Sequence, residues 1–553
     1  MRNPSRRIRL AACAAAAGAM LSGLVPAAHA SAPAAGPAAA APAADDPVPD
    51  HESMPDDGFD DEPEGEQDDS AGPGTAAASR GALAAAAPAP GRPADFALAK
   101  GADLSGLVAK LTASLPSQGL TELMTQANRD SPGCGAATVY GPDLTADQRF
   151  CWKSDDATST EWVPQAISGV SDAQEDEDWG TSDAEPVAVA GYDAKNPGRS
   201  DYASGRDNCL QASASDACNE KGVRVTFFNQ KTRMYRHVLL AWPYMNSKDH
   251  ISFDALHASE GSCTSTVTPS CAAQNGIHAG GMVWYGNYLY VADTANGMRV
   301  FDFRRILDLN PDNDAAVNDP TPDGLVSDVQ DKKRIGRQSN VWYAYGYRYV
   351  MPQVATVNFT AAKNGGPTSG NQCYNTGRPK ASYLSLDRTG TDHMIIGEYC
   401  NTNNGGDPGR VATYPMASLA AAVEGATGTA VSADEAYGLP VGATFNGEAL
   451  WHKFQGAMRY EGSWYFHRSN ASSHGLLLQA TVGTVDGAAR LVGNTKTLKS
   501  TIGPEDLYLA HGRGDNLPPR LWSLSEHATT ADCSACAREV YSYPMADVVS
   551  SFG

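Results

Sequence analysis

Apolar and polar residues alternate in short runs along most of this chain, with tight turns between the runs. Residues 278–306 read HAGGMVWYGNYLYVADTANGMRVFDFRRI. Met282-Val283-Trp284-Tyr285, Tyr288-Leu289-Tyr290-Val291 and Met298-Arg299-Val300-Phe301-Asp302-Phe303 predict three strands in succession. Gly286-Asn287 and Asn296-Gly297 supply the turns. Tyr347-Arg348-Tyr349-Val350 is the expected fourth strand. Trp162-Val163-Pro164-Gln165-Ala166-Ile167-Ser168 opens an earlier set of four that continues at 186–192, 223–228 and 235–240. Later sets begin near Ala381, Gln455 and Pro504. Tyr414-Pro415-Met416-Ala417 returns as Tyr543-Pro544-Met545-Ala546. Such modules over about 390 residues predict an all-β protein, a β-propeller. Five blades are expected. Six is the alternative, with the extra blade at 241–275 or 341–360.

The pattern differs ahead of the strands. Leu104, Leu107, Val108, Leu111 and Leu115, then Leu120, Leu123 and Met124, recur at helical spacing on either side of Pro116. Residues 96–158 are therefore expected to be a short helical segment with a cysteine-bridged loop, and 159–553 the propeller domain. Residues 31–95 are Ala, Pro, Gly and acid; this composition predicts a disordered linker. Residues 1–30 read as a signal peptide: Arg2, Arg6, Arg7 and Arg9, an apolar stretch from Leu10 to Val25, and Ala28-His29-Ala30 before the cut. The expected location is extracellular. No other stretch is long and apolar enough for a membrane span.

Charge narrows the function. Residues 45–69 hold 13 acidic residues and no Lys or Arg; removing them from the net charge of −21 leaves −8. That disfavours a nucleic-acid partner, which needs clustered Lys and Arg; none is expected. Of the 11 cysteines, Cys13 leaves with the signal peptide. The other ten predict local disulfides: Cys134–Cys151, Cys209–Cys218, Cys263–Cys271, Cys373–Cys400 and Cys533–Cys536.

The runs at 162–168, 235–240 and 278–294 resemble a group of secreted actinobacterial propeller proteins. The resemblance implies export and the fold over about 160–550, and no activity. Pro504-Glu505-Asp506-Leu507 is similar to blade openings of lactonase-like propellers.

Inner strands of a propeller line its channel, so residues at their openings converge. Aligned openings select Gln165, Gln455, Glu505 and Asp506, with His278 beside Ala279, and Gln353 as a further member. The glutamines and Asp506 are candidate ligand contacts. Glu505 and His278 are the candidate acid–base pair. Asp308, Asn310, Asp312 and Asp319 follow part of a calcium-loop spacing, making a calcium ion the one cofactor considered. GxSxG, HExxH and phosphate-loop motifs are absent from the sequence. The reading is a secreted protein that binds an extracellular small molecule, glycan or cell-wall component. The alternative is a hydrolase or lyase at the channel mouth, with metal assistance as an option.

Overall fold

The computed structural model describes residues 91–553 apart from 136–138, 175–184, 195–220, 247, 257–276, 312–318, 333, 363–371, 403–406, 486–487, 513–517 and 532. Five four-stranded antiparallel units can be traced among its strands, the first and second joined by parallel pairing of their fourth strands. The first unit is Trp162–Gly169, Pro186–Asp193, Val223–Asn229 and Met234–Met245. The second is Met282–Tyr285, Tyr288–Asp293, Gly297–Asp302 and Tyr349–Phe359. The third is Tyr383–Asp387, His393–Gly397, Arg410–Pro415 and Glu435–Gly438. The fourth is Phe454–Tyr460, Ser463–Arg468, His474–Val485 and Ala488–Ile502. The fifth has Pro504–Ala510, Arg520–Ser525 and Glu539–Pro544. Its fourth strand is Gln148–Cys151, which precedes the first unit in sequence and pairs with Glu539–Pro544.

The first strands of the units meet around a circuit. The Trp284 amide of the second unit donates to Ser168 Oγ of the first (3.0 Å). Gly281 lies against the third unit, where a Cβ would stand 2.1 Å from the Leu384 nitrogen. Ser385 Oγ donates to the Ala457 carbonyl of the fourth unit (2.5 Å). Gly456 lies against the fifth, where a Cβ would stand 2.7 Å from the Leu507 nitrogen. Asp506 Oδ2 of the fifth accepts from the Ile167 amide of the first (3.3 Å). The circuit closes, and the fold is a β-propeller.

Closure explains the alternation. A propeller sheet is buried on both faces, so successive side chains point to two different neighbours rather than to core and water. Met282 and Trp284 pack with the first unit beside Val225 and Phe227, while Val283 packs with the third beside Leu384 and Ile396. Arg299 is read on the sequence as a polar position, yet it is only 1% exposed and pairs with Asp293 at 2.6 Å.

The helices expected before the strands span Ser105–Ser114 and Leu120–Thr125. Two pieces of the N-terminal region do more than the spacing suggests. Gln148–Cys151 completes the fifth unit, so the propeller draws on chain ahead of residue 159. Leu98–Asp103 adds an edge strand to Tyr349–Phe359, and Pro93–Phe96 forms a 3-10 turn inside what reads as the end of the linker. The two Tyr-Pro-Met-Ala phrases occupy one structural place: each ends a third strand and starts a helix, Met416–Glu424 or Met545–Phe552. The third unit then returns to lay down Glu435–Gly438. In the fifth unit the early strand Gln148–Cys151 takes that place.

In the stretches considered for a sixth blade, 241–275 and 341–360, Val341–Ala344 belongs to a further four-stranded sheet with Asp319–Pro320, Val326–Asp328 and Ile335–Gln338. Ile251–Ala255 pairs with the long Met234–Met245, and Tyr349–Phe359 belongs to the second unit. Disulfides join Cys134–Cys151, Cys373–Cys400 and Cys533–Cys536. Cys209, Cys218, Cys263, Cys271, the signal sequence and the linker up to residue 90 lie outside the described residues.

Candidate functional site: the mouth where the inner strands begin

Three inner strands carry a β-bulge at the same level. Gln165 is the extra residue between Pro164, opposite Gly191, and Ala166, opposite Ala190. Gln455 is the extra residue between Phe454, opposite Arg468, and Gly456, opposite His467. Glu505 and Asp506 fill the shift between Pro504, opposite Ser525, and Leu507, opposite Ser523. A bulge kinks its strand and re-aims a side chain that regular pleating would send into a sheet face. Of the residues singled out by aligning strand openings, Gln165, Gln455, Glu505 and Asp506 are therefore the bulge residues of the first, fourth and fifth units.

A second feature marks the same mouth. Each second strand runs antiparallel to its inner strand, so it ends where the inner strand begins. Each ends in, or is followed at once by, a charged residue: Asp193, Asp293, Glu398, Arg468 and Glu526. All five are held. Asp193 accepts the Lys221 amide at 2.8 Å. Asp293 pairs with Arg299, and Glu398 pairs with Arg410 at 2.8 Å. Arg468 reaches Glu448 at 3.0 Å and His452 at 2.9 Å. Glu526 accepts the Gln165 amide at 2.7 Å, joining the fifth unit to the first. Buried charge is costly unless paired or hydrogen-bonded: Asp293, Glu398 and Arg468 have opposite charges as partners, while Asp193 and Glu526 take amides.

Asp506 is the hub. It is fully buried, and its Oδ2 accepts the amides of Ile167 and Met282, both at 3.3 Å. One carboxyl thus fastens three inner strands. Burial pushes it well above the ordinary carboxyl range, and the backbone donors offset this only in part. In its neutral form, which burial favours, it binds the strands together without a bare charge in the core.

The remaining candidates fall as follows. Gln455 is half-buried at its bulge. His278 is half-buried just before the second inner strand, its ring 4.6 Å from that of Tyr192. Glu505 is buried beside Tyr541, whose hydroxyl it helps to push up after burial itself. Gln353 is not at the mouth: it lies on Tyr349–Phe359, the fourth strand of its unit, opposite Phe301. Asp308 is also elsewhere, on the short strand Ile306–Asp308. Its oxygens take Arg348 at 2.7 and 2.8 Å, the Asn310 amide at 2.9 Å and the Gln118 amide, a fully engaged carboxylate. Asn310 and Asp319 are buried near it in sequence, and Asp312 lies outside the described residues.

Sequence reasoning missed Glu526 and the charged ring. The signal is legible in retrospect: Val291-Ala292-Asp293, Ile396-Gly397-Glu398 and Leu524-Ser525-Glu526 each end an apolar run with one acid. It also missed His467, buried between the fourth and fifth units. Its Nδ1 lies 3.1 Å from Ser523 Oγ and 3.2 Å from the Glu505 carbonyl, and its Nε2 lies 2.9 Å from Ser500 Oγ. Burial pushes this imidazole down to about 4. Below its unfolded value of 6.5 the unfolded chain takes a proton that the folded protein refuses. The stability it contributes is complete above that pH and is lost as pH falls towards 4, about 3 kcal/mol in all. His467→Asn is expected to flatten this part of a denaturant-stability profile against pH. An unchanged slope would contradict the buried neutral imidazole.

No family model and no curated protein matches this chain. Among solved structures, the GH43_1 enzyme from Xanthomonas citri complexed with xylotriose is similar at 10% identity and a TM-score of 0.30, over 70% of this chain and 89% of that one. The fucose-recognising lectin of Aleuria aurantia, a six-bladed β-propeller, is similar at 7% identity and a TM-score of 0.24, over 66% and 73%. A putative glucose dehydrogenase from Thermus thermophilus is similar at 12% identity and a TM-score of 0.24, over 69% and 97%. These are propeller-type proteins, and the likeness is a loose one. The strand pairing of this chain carries the assignment.

Proposed function

We propose that this protein acts outside the cell and binds a polyhydroxylated ligand, a glycan or cell-wall component, at the mouth where the inner strands begin. Arg2 to Ala30 and the three disulfides support export. No helix among the described residues is long and apolar enough to cross a membrane. The observation that carries the binding reading is Gln455, half-buried at a bulge that shares its level with those of the first and fifth units. Amides and carboxylates are the groups that hydrogen-bond sugar hydroxyls. The Tyr192–His278 ring pair adds an apolar surface at the same mouth.

Gln455 is the ligand contact of choice: it is half-buried at its bulge, whereas the Gln165 amide is spent on Glu526. Titration of the mature protein with soluble cell-wall oligosaccharides should give saturable binding. Gln455→Ala should weaken it about tenfold, one hydrogen bond to a ligand hydroxyl, without changing the melting temperature. Failure of the wild type to bind any such oligosaccharide, or full binding by the variant, would sink this reading.

The alternative, a hydrolase or lyase acting through Glu505 and His278, has one feature in its favour: burial pushes the neighbouring Asp506 carboxyl well above its ordinary range. Glu505 and Asp506 are both fully buried, however, and substrate must reach a general acid. Binding is the reading the geometry supports better.

A further inference from the structure

A cavity of about 300 Å³ lies where the N-terminal segment packs against the second unit, large enough for a small ligand. Two helix ends are fixed there. Buried Lys100 donates to the Val423 and Gly425 carbonyls, both at 2.7 Å, and so holds the C-terminal end of Met416–Glu424. Asp103 accepts the Ser105 amide at 3.0 Å, at the start of Ser105–Ser114, and takes Lys100 at 3.1 Å. Lys100 and Asp103 are thus engaged in building the cavity. Val108, Val354 and Val423 give it an apolar lining. Tyr288, on its wall, opens a second strand, and second strands end at the mouth, so the cavity is separate from the mouth.

Three charged groups of the wall have capacity left. The turn Phe303–Arg305 buries Phe303 and leaves Arg304 and Arg305 exposed. Arg304 gives Nε and Nη2 to Asp302, at 2.8 and 2.9 Å, and keeps Nη1. The Arg305 guanidinium makes no hydrogen bond or ion pair among the described residues. Glu424 has one hydrogen-bond contact among them, the Tyr288 hydroxyl at 3.5 Å. That hydroxyl stands between Glu424 and Arg304, whose Nη2 is 3.4 Å away.

An occupant must bring an oxyanion for the guanidinium donors, hydrogen-bond donors for the Glu424 carboxylate, and an apolar face for the valines. A simple anion would meet Glu424 with like charge. A neutral sugar would leave Arg305 without a counter-charge. A sugar acid meets all three needs: its carboxylate fits the planar arginine fork, its hydroxyls donate to Glu424, and its C–H faces rest on the apolar lining. We propose that this cavity is a second saccharide site, selective for units that bear a carboxylate, and built jointly by the N-terminal segment and the propeller. It does not depend on the reading of the mouth.

Isothermal titration of the mature protein tests it. The probe is a tetrasaccharide of alternating glucuronate and N-acetylglucosamine, and chitotetraose is its neutral counterpart. The acidic probe should bind saturably, and the neutral one about tenfold more weakly or worse. Arg305→Ala and Glu424→Gln alter exposed side chains, so both variants should melt with the wild type. The first should weaken the acidic probe about tenfold or more, the second several-fold. Gln455→Ala, at the mouth, should leave this binding unchanged. No binding of the acidic probe, equal binding of the two probes, or full binding by either cavity variant would overturn the proposal. Complete displacement of the probe by an equal concentration of inorganic phosphate would reveal a bare anion site and would also overturn it. So would loss of binding in Gln455→Ala alone, which would put the acidic sugar at the mouth instead.

Discussion

Asp506→Ala is expected to destabilise the protein by about 2–5 kcal/mol, because it leaves two buried amides, those of Ile167 and Met282, without an acceptor. Asp506→Asn keeps an acceptor and should separate hydrogen bonding from charge. The folded carboxyl titrates well above its ordinary value. Its contribution is therefore complete below the unfolded value near 4 and is lost as pH rises, since the unfolded chain releases a proton that the folded protein keeps. Relative to wild type, the asparagine variant should gain up to about 1.4 kcal/mol for each pH unit above 4, until the folded carboxyl ionises. Urea unfolding at pH 5 and pH 8 measures both effects. An alanine variant as stable as wild type would remove the hub. Parallel pH profiles for asparagine and wild type would remove the buried proton.

Gly281→Val is expected to be more damaging still. The side chain would begin 2.1 Å from the Leu384 nitrogen and 2.5 Å from the Tyr383 carbonyl carbon, main chain that cannot step aside. Ordinary overpacking costs about 1–3 kcal/mol; here two inner strands must separate, and failure to fold is the expected result. Gly286 is the control. It sits in the hairpin turn at φ 55° with nothing near its missing Cβ, so Gly286→Ala should cost only about 1 kcal/mol of backbone strain. Soluble yield and melting temperature of the two variants decide the point. A well-folded Gly281→Val protein would mean that the second and third units do not abut as described.

The two variants also show what the sequence could and could not disclose. Inner strands were legible because both faces are buried, so each is an apolar run between turn residues. Outer strands were not. Glu435–Gly438 has four residues, and Ala488–Ile502 includes Arg490, Asn494, Lys496 and Lys499, the mixed pattern of an edge facing water. Gln148–Cys151 is legible only through its partner, hundreds of residues away, and no local pattern encodes that pairing. The site followed the same division. Gln165, Gln455 and Glu505 aligned because bulges occur at equivalent places in equivalent strands. Gln353 was drawn in by Pro352-Gln353, which copies Pro164-Gln165 in spelling, but its strand pairs with Gly297–Asp302 at the outer side of its unit. Asp308 satisfied a calcium spacing in one dimension, while Arg348, forty residues on, claims its carboxylate in three.

The mouth depends on the ring beneath it, because bulge residues converge only if the inner strands are fixed against one another. Native-state hydrogen exchange of the five inner strands tests this directly. The expected result is one common protection class for the amides of 162–169, 282–285, 383–387, 454–460 and 504–510, lost as a single step in Asp506→Ala. Inner strands that open one by one, each with its own protection, would show independent sheets without a shared hub, and would contradict the account.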